Sequence, residues 1–242
     1  MEDLNINNEY ILVESDAAAY TQPSQSVPQN TFIEDELAAN NIVSSVTTPS
    51  INVSHLDSTS GAKVGTAYTS LQPLIQKVNS AFMNQFDYMG DATNLMTNFA
   101  GVESNFGADQ MGAYSFGPHQ IDAVRYYDII NRSKKGKNKL HLDFANQFLQ
   151  KELNNPGFDI STYLNVDTTS YPYKYIPDTN LQSHNPLISS VLTRLALGMD
   201  TNPIPGNLGD EGAYYKSFWN RSGVGDSTSY VNRVQDYFPN YK

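Results

Sequence analysis

A change of texture near residue 70 constrains this chain more than any other feature. From there Leu71, Leu74, Ile75, Val78, Phe82 and Phe86 recur at helical spacing. One face of a helix over 70–87 is therefore apolar and has to be buried. Gly90 breaks the pattern. Asp91 is a good N-cap for a second helix, which carries Leu95, Met96, Phe99, Ala100 and Val102 to about Ser104, with Gly107 as its stop. Further helices are expected over 120–132, 141–153, 185–199, 211–220 and 228–237, with Pro- and Gly-bearing loops at 154–183 and 201–210. No alternating strand run of any length appears. The reading is a mainly α domain over 67–242.

Residues 1–66 have no such period. They are rich in Ser, Thr, Asn, Gln, Pro and Ala, and the stretches 20–31 and 44–63 read as linker or disordered chain, with a short helix around Ile33 to Val43 compatible with the composition. The net charge of −10 sits mostly here: residues 1–69 hold nine acids and the single base Lys63, whereas 70–242 hold sixteen acids and fourteen bases. This is an extended, polar, acidic N-terminal arm, either a solvated tail, which is the preferred reading, or a segment that orders only in an assembly. Nucleic acid is disfavoured as a partner, because it calls for a net basic face. The chain has no cysteine, which removes disulfides, thiolate metal sites and cysteine nucleophiles. No apolar run reaches the roughly 18 residues of a membrane span, so no membrane insertion is expected. Met1 to Tyr10 lacks the basic and apolar regions of a secretory signal peptide.

Glu103 lies four residues after Phe99 and seven after Met96. On a helix that spacing sets its carboxylate on or beside the apolar stripe, where lost hydration raises its pKa. The last helical turn adds the unfavourable end of the helix dipole. A carboxyl kept protonated near neutral pH can donate a proton to a glycosidic leaving oxygen. A glutamate at a helix end is more commonly a solvated surface group, so the neighbouring residues have to carry the argument.

Val102-Glu103-Ser104-Asn105-Phe106-Gly107 is followed by Gly112-Ala113-Tyr114-Ser115-Phe116-Gly117-Pro118-His119-Gln120-Ile121. This resembles the catalytic core of the soluble lytic transglycosylases, which share the goose-type lysozyme fold: a helix ending in Glu-Ser, then Gly-Ala, then Gly-Leu-Met-Gln-Ile. Asn185-Pro186-Leu187-Ile188, Trp219-Asn220-Arg221-Ser222-Gly223 and Tyr230-Val231-Asn232-Arg233-Val234 stand where the family has a helix opening near Asn-Ile, a Tyr-Asn-Ala-Gly motif and a Tyr-Val helix. The resemblance spans about residues 70–238. It implies a lysozyme-like domain that cleaves the bond between N-acetylmuramic acid and N-acetylglucosamine in peptidoglycan. Glu103 is then the acid and later the base, and the enzyme needs no cofactor. Trp219 replaces the tyrosine that positions the family's glutamate, and Tyr214 or Tyr215, one helical turn upstream, is the candidate replacement for its hydroxyl.

Ser104, Tyr114, Gln120, Trp219 and Asn220 are the expected substrate contacts. Asp109 and Asp122 are the candidate second carboxylates. A hydrolase would need one of them; a transglycosylase uses the substrate's own 6-hydroxyl and needs neither. Asp122 is also well placed simply to stabilise the start of the 120–132 helix, which is the preferred reading. A muramidase is thus the runner-up to a transglycosylase. The run Arg132-Ser133-Lys134-Lys135-Gly136-Lys137-Asn138-Lys139 reads as a solvated loop between helices, with contact to anionic wall groups as the functional alternative. The histidines His55, His119, His141 and His184 show no metal-ligand spacing, so no metal is expected. A wall-cutting domain with an acidic arm and no signal peptide suggests a bacteriophage protein carried in the virion. Its arm would dock on tail or internal core proteins. The alternatives are an endolysin or a catalytically silent structural virion subunit.

Overall fold

The computed structural model describes residues 50–109, 114–221 and 225–242, within a compact unit running Thr47–Lys242. Of the described residues 60% are helical and 4% are in strands. The possible helix at Ile33 to Val43 lies outside the described residues.

The first helix, α1 (Ser58–Gln85), opens earlier than its large apolar residues suggest. Asp57 caps it by accepting from the Thr59 and Ser60 amides at 3.0 Å. Gly61 lets it lie against Val53, whose side chain would be 3.4 Å from an added Cβ. The stretch 58–63, read as linker, is therefore helical, because its small residues conceal a packed face. Val64, Tyr68, Leu71, Ile75, Val78 and Phe82 form the buried stripe, and each such side chain contributes about 2 kcal/mol when removed from water. Pro73 sits inside α1, where it removes one backbone donor.

Helix α2 (Thr93–Ser104) follows a short turn. Ala92 is formally its N-cap residue, but Asp91 does the capping, accepting from the Thr93 amide at 2.8 Å. The central helix is α6 (Pro186–Met199), which is buried almost all round and packs mainly against α1. Asn185 caps it through bonds to the Leu187 and Ile188 amides. Around this pair lie α3 (Ala123–Ser133), α4 (Asn138–Glu152), the short α5 (Thr179–Ser183), α7 (Leu208–Tyr214) and α8 (Ser227–Tyr237). A wide π turn, Tyr215–Trp219, takes up the second half of the helix expected over 211–220. The two antiparallel hairpins, β1 (Ser115–Phe116) with β2 (Ile121–Asp122) and β3 (Val166–Asp167) with β4 (Lys174–Tyr175), have strands of two residues, too short to leave an alternating pattern. As a result α3 starts at Ala123 rather than at 120. The run from Arg132 to Lys139 spans the end of α3, the exposed link 134–137 and the start of α4, with Ser133 buried and Asn138 half-buried.

A buried polar knot fixes α2 relative to α1 and α6. Asn79 donates to Asp91 at 2.8 Å and Thr93 at 3.0 Å, and accepts from the Ala92 amide at 3.1 Å and Arg194 Nε at 3.0 Å. Arg194 also donates to the Gly90 carbonyl at 2.9 Å, and burial pushes its guanidinium down to about 10. Removing one member strands the rest away from water. Asn79→Ala is therefore expected to cost about 3 kcal/mol, read as a lower denaturation midpoint with an unchanged m-value. A loss within about 0.5 kcal/mol would show that the knot does not hold α2 in place.

Candidate functional site

Glu103 occupies the last turn of α2, and the chain immediately after it takes an uncommon path. Asn105, Phe106 and Gly107 all have positive φ, at 49°, 62° and 91°. A phenylalanine in that region costs on the order of 1–3 kcal/mol. Burial compensates for it: the Phe106 ring meets Tyr68 edge-on at 5.1 Å and Tyr237 at 5.0 Å. Gly101 makes the space, since an added Cβ would lie 2.7 Å from that ring. The helix ends at Ser104, where the sequence puts its end, and Glu103 is held one turn from a rigid reversal that closes at Gly107.

Ser104, expected to touch substrate, is buried, and its hydroxyl is fully used. It donates to the Pro118 carbonyl at 2.6 Å and accepts from the Gly107 amide at 2.8 Å. It is a clamp joining the two sequence motifs. The second motif forms the turn of the β1–β2 hairpin. Gly117 and Gln120 have φ of 67° and 50°, and both the amide and the side-chain Nε2 of Gln120 donate to the Gly117 carbonyl, at 3.0 and 3.1 Å. His119 is buried, shares a hydrogen bond with Ser189 at 3.0 Å, and is pushed by burial down to about 3. It is therefore a neutral packing residue near neutral pH.

Across from α2, the Tyr215 hydroxyl donates to Glu103 Oε1 at 2.7 Å. Of the two tyrosines the sequence offered, Tyr214 turns toward Asp200 instead. Burial holds the Glu103 carboxyl above the ordinary glutamate value of 4.5. The Tyr215 hydrogen bond and the positive charges of Arg125 and Arg233 pull it down, and the nearby Asp122 pushes it up slightly. Desolvation dominates, so the proton is held more tightly than in water.

Trp219 is 5% exposed. Its ring packs on Phe99 at 5.0 Å and lies under the Arg125 guanidinium at 4.4 Å. It is largely a core residue. Its outer edge borders a cleft of about 360 Å³ shared with Asp122, Arg125, Asn220 and Arg221. The Asn220 amide closes the π turn by donating to the Tyr215 carbonyl at 2.8 Å, and its side chain reaches the Tyr215 hydroxyl. Tyr114 stands 79% exposed beside the β1–β2 hairpin. Asp122 is the N-cap of α3, bonded to the Arg125 amide at 2.7 Å. Asp109 is an exposed acceptor for the Asn105 side chain at 2.7 Å. Both carboxylates therefore already have local structural partners.

The structure adds two cations that the sequence did not single out. Arg125, in the first turn of α3, donates to the Phe218 carbonyl at 3.1 Å and to the Trp219 carbonyl. Arg233, on α8, donates to Asn105 Oδ1 at 2.8 Å. Both are near Glu103 only through tertiary packing. Arg233 at least lies inside a quoted motif, whereas nothing in the sequence marks Arg125. Among the described residues no group of three or more acids and histidines is placed to hold a metal ion, and no helix is long and apolar enough to cross a membrane. No family model, no curated protein and no solved structure matches this chain.

Proposed function

We propose that this chain cleaves the N-acetylmuramic acid to N-acetylglucosamine bond of peptidoglycan as a lytic transglycosylase, on a lysozyme-like domain. The reading rests on one arrangement: a desolvated Glu103 carboxyl hydrogen-bonded by Tyr215 at 2.7 Å, followed by Ser104, which bonds the turn 117–120, and under the charges of Arg125 and Asp122, which line the cleft. Burial makes the carboxyl hold its proton more tightly, and Tyr215 fixes which oxygen faces the substrate. After the leaving oxygen takes the proton, the Glu103 carboxylate accepts the proton of the substrate's 6-hydroxyl, which closes on the anomeric carbon. Arg125 and Arg233 stabilise the carboxylate in that interval. Tethering the nucleophile to the reacting ring replaces an ordered water and its partner carboxylate.

The local roles of Asp109 and Asp122 favour this chemistry over hydrolysis. Asp109→Asn and Asp122→Asn are each expected to keep at least about a third of the activity, Asn being as good an N-cap as Asp. Mass spectrometry of digested peptidoglycan is expected to find 1,6-anhydro ends, one water lighter than hydrolysis products. Reducing ends together with an inactive Asp122→Asn would make the protein a muramidase, and no cleavage at all would overturn the reading.

The virion setting and the docking arm belong to the same proposal. Residues 1–49 lie outside the described residues. Because Ser58 already belongs to α1, the informative deletion stops at 49 rather than at 66. It is expected to spare activity on purified peptidoglycan and to abolish incorporation into particles.

A further inference from the structure

We infer that Glu211 is a positioning residue for the site, holding the Tyr215 hydroxyl on Glu103 through Tyr230. The inference rests on the proposed reading only in taking Glu103 as the acid.

Glu211 is 1% exposed. Its carboxylate accepts from Asn98 of α2 at 2.8 Å, from Tyr230 of α8 at 3.2 Å and from Tyr241 at 2.5 Å. Burial raises its pKa, and these three bonds oppose the rise. A buried acid answered by three neutral donors is an expensive way to tie elements together, and its location gives it a role. Asn98 is five residues before Glu103 on α2, and Tyr215 is four after Glu211 across the junction of α7 with the π turn. The Tyr215 ring stacks on Tyr230 at 4.5 Å between centroids and 27° between planes. The Tyr230 hydroxyl is the only polar atom of that ring and is anchored on Glu211. Glu211 therefore fixes the surface against which Tyr215 rests, while Asn98 fixes α2 to the same carboxylate. The hydroxyl of one group and the carboxyl of the other are brought into register by one buried anchor.

The test is the titration of the Glu103 carboxyl, followed by NMR on glutamate labelled with carbon-13 at the side-chain carboxyl and assigned by the signal missing from Glu103→Gln. It needs no glycan, so an inactive wild type would sink the proposed function without touching this inference. The charged and titratable groups facing Glu103 are Tyr215, Arg125, Arg233 and Asp122. Those facing Glu211 are Tyr230 and Tyr241.

Tyr215→Phe removes a hydrogen bond to the ionised form, so the Glu103 pKa is expected to rise by about one unit. Glu211→Ala is expected to move it the same way by about half as much. Loss of a negative charge acting through space would move it down, so the sign separates the two routes. In the Tyr215→Phe background, Glu211→Ala is expected to add nothing. Glu211→Gln, which keeps the shape and an acceptor, is expected to restore most of the wild-type value. If Glu211→Ala does not fold, Tyr230→Phe keeps the stacked ring, loses only the anchor, and is expected to give the same upward shift. No shift, a downward shift, or a shift that persists without the Tyr215 hydroxyl would overturn the inference.

Discussion

Glu103→Gln is expected to lower glycan cleavage by about a thousandfold or more, with the fold intact by circular dichroism. The amide is nearly isosteric and can still accept from Tyr215, but it has no proton to give. The substitution should also stabilise the protein near neutral pH. The Glu103 pKa is raised on folding, so the wild type has its full stability below the ordinary value of 4.5 and loses part of it as pH rises through the folded value. Glutamine does not titrate. The melting temperature of Glu103→Gln should therefore exceed that of wild type at pH 8, and the gain should disappear at pH 4. Wild-type activity should fall over the same rise in pH that deprotonates Glu103. A variant that is inactive yet no more stable at pH 8 would show that Glu103 is solvated and its carboxyl unstrained.

Gly117→Ala is expected to be the most damaging single methyl in the site. Gly117 has φ of 67°, and a Cβ there would lie 2.4 Å from the Ser189 side chain on α6. The backbone penalty alone is about 1 kcal/mol. The clash adds roughly 2 kcal/mol more, because α6 is the packed centre of the domain and has little room to give. Thermal unfolding is expected to drop by about 10 °C. Gly136→Ala is the internal control: its φ is 55°, but nothing lies within 4 Å of the added carbon, so only the backbone penalty of about 1 kcal/mol applies. Equal losses at the two positions would mean that the close approach to Ser189 is not what requires glycine. Activity should fall with Gly117→Ala as well, since the Pro118 carbonyl next to it holds Ser104 and through it the end of α2.

The legible parts of the fold are those where one local signal decides. Asn185-Pro186 followed by an apolar run marks α6 to within a residue, because capping and burial agree there. The start of α1 was hidden because Gly61, Ala62 and Gly65 carry no large side chain, and of these only Gly61 is buried. Phe106 gave no sign of its left-handed backbone, since the space that permits it comes from Gly101 on the preceding helix and from Tyr68 and Tyr237 elsewhere. In the site, the spacing of Glu103 to Phe99 made its place beside the apolar stripe legible, and its choice as the acid rests on the neighbouring motif. Tyr215 was legible only as one of two candidates, because which of two adjacent residues faces α2 is set by how α7 packs. Trp219 looked like a groove residue by its place in a motif, yet Phe99 and Arg125 enclose most of it. Arg125, Arg233 and Glu211 reach the site from helices whose approach no short-range pattern encodes.

The wide turn at Tyr215–Trp219 makes this site vulnerable to chain length as well as to chemistry. Deleting Ala213, in the regular helix that leads into it, would turn Tyr215 by about 100° against Glu211. Every side chain named above would still be present, but the Tyr215 hydroxyl would point away from Glu103. Single-residue indels, which scanning by substitution never samples, are therefore the class of change to which this region is least tolerant. Libraries that shorten or lengthen it should yield folded proteins whose Glu103 titrates without its partner.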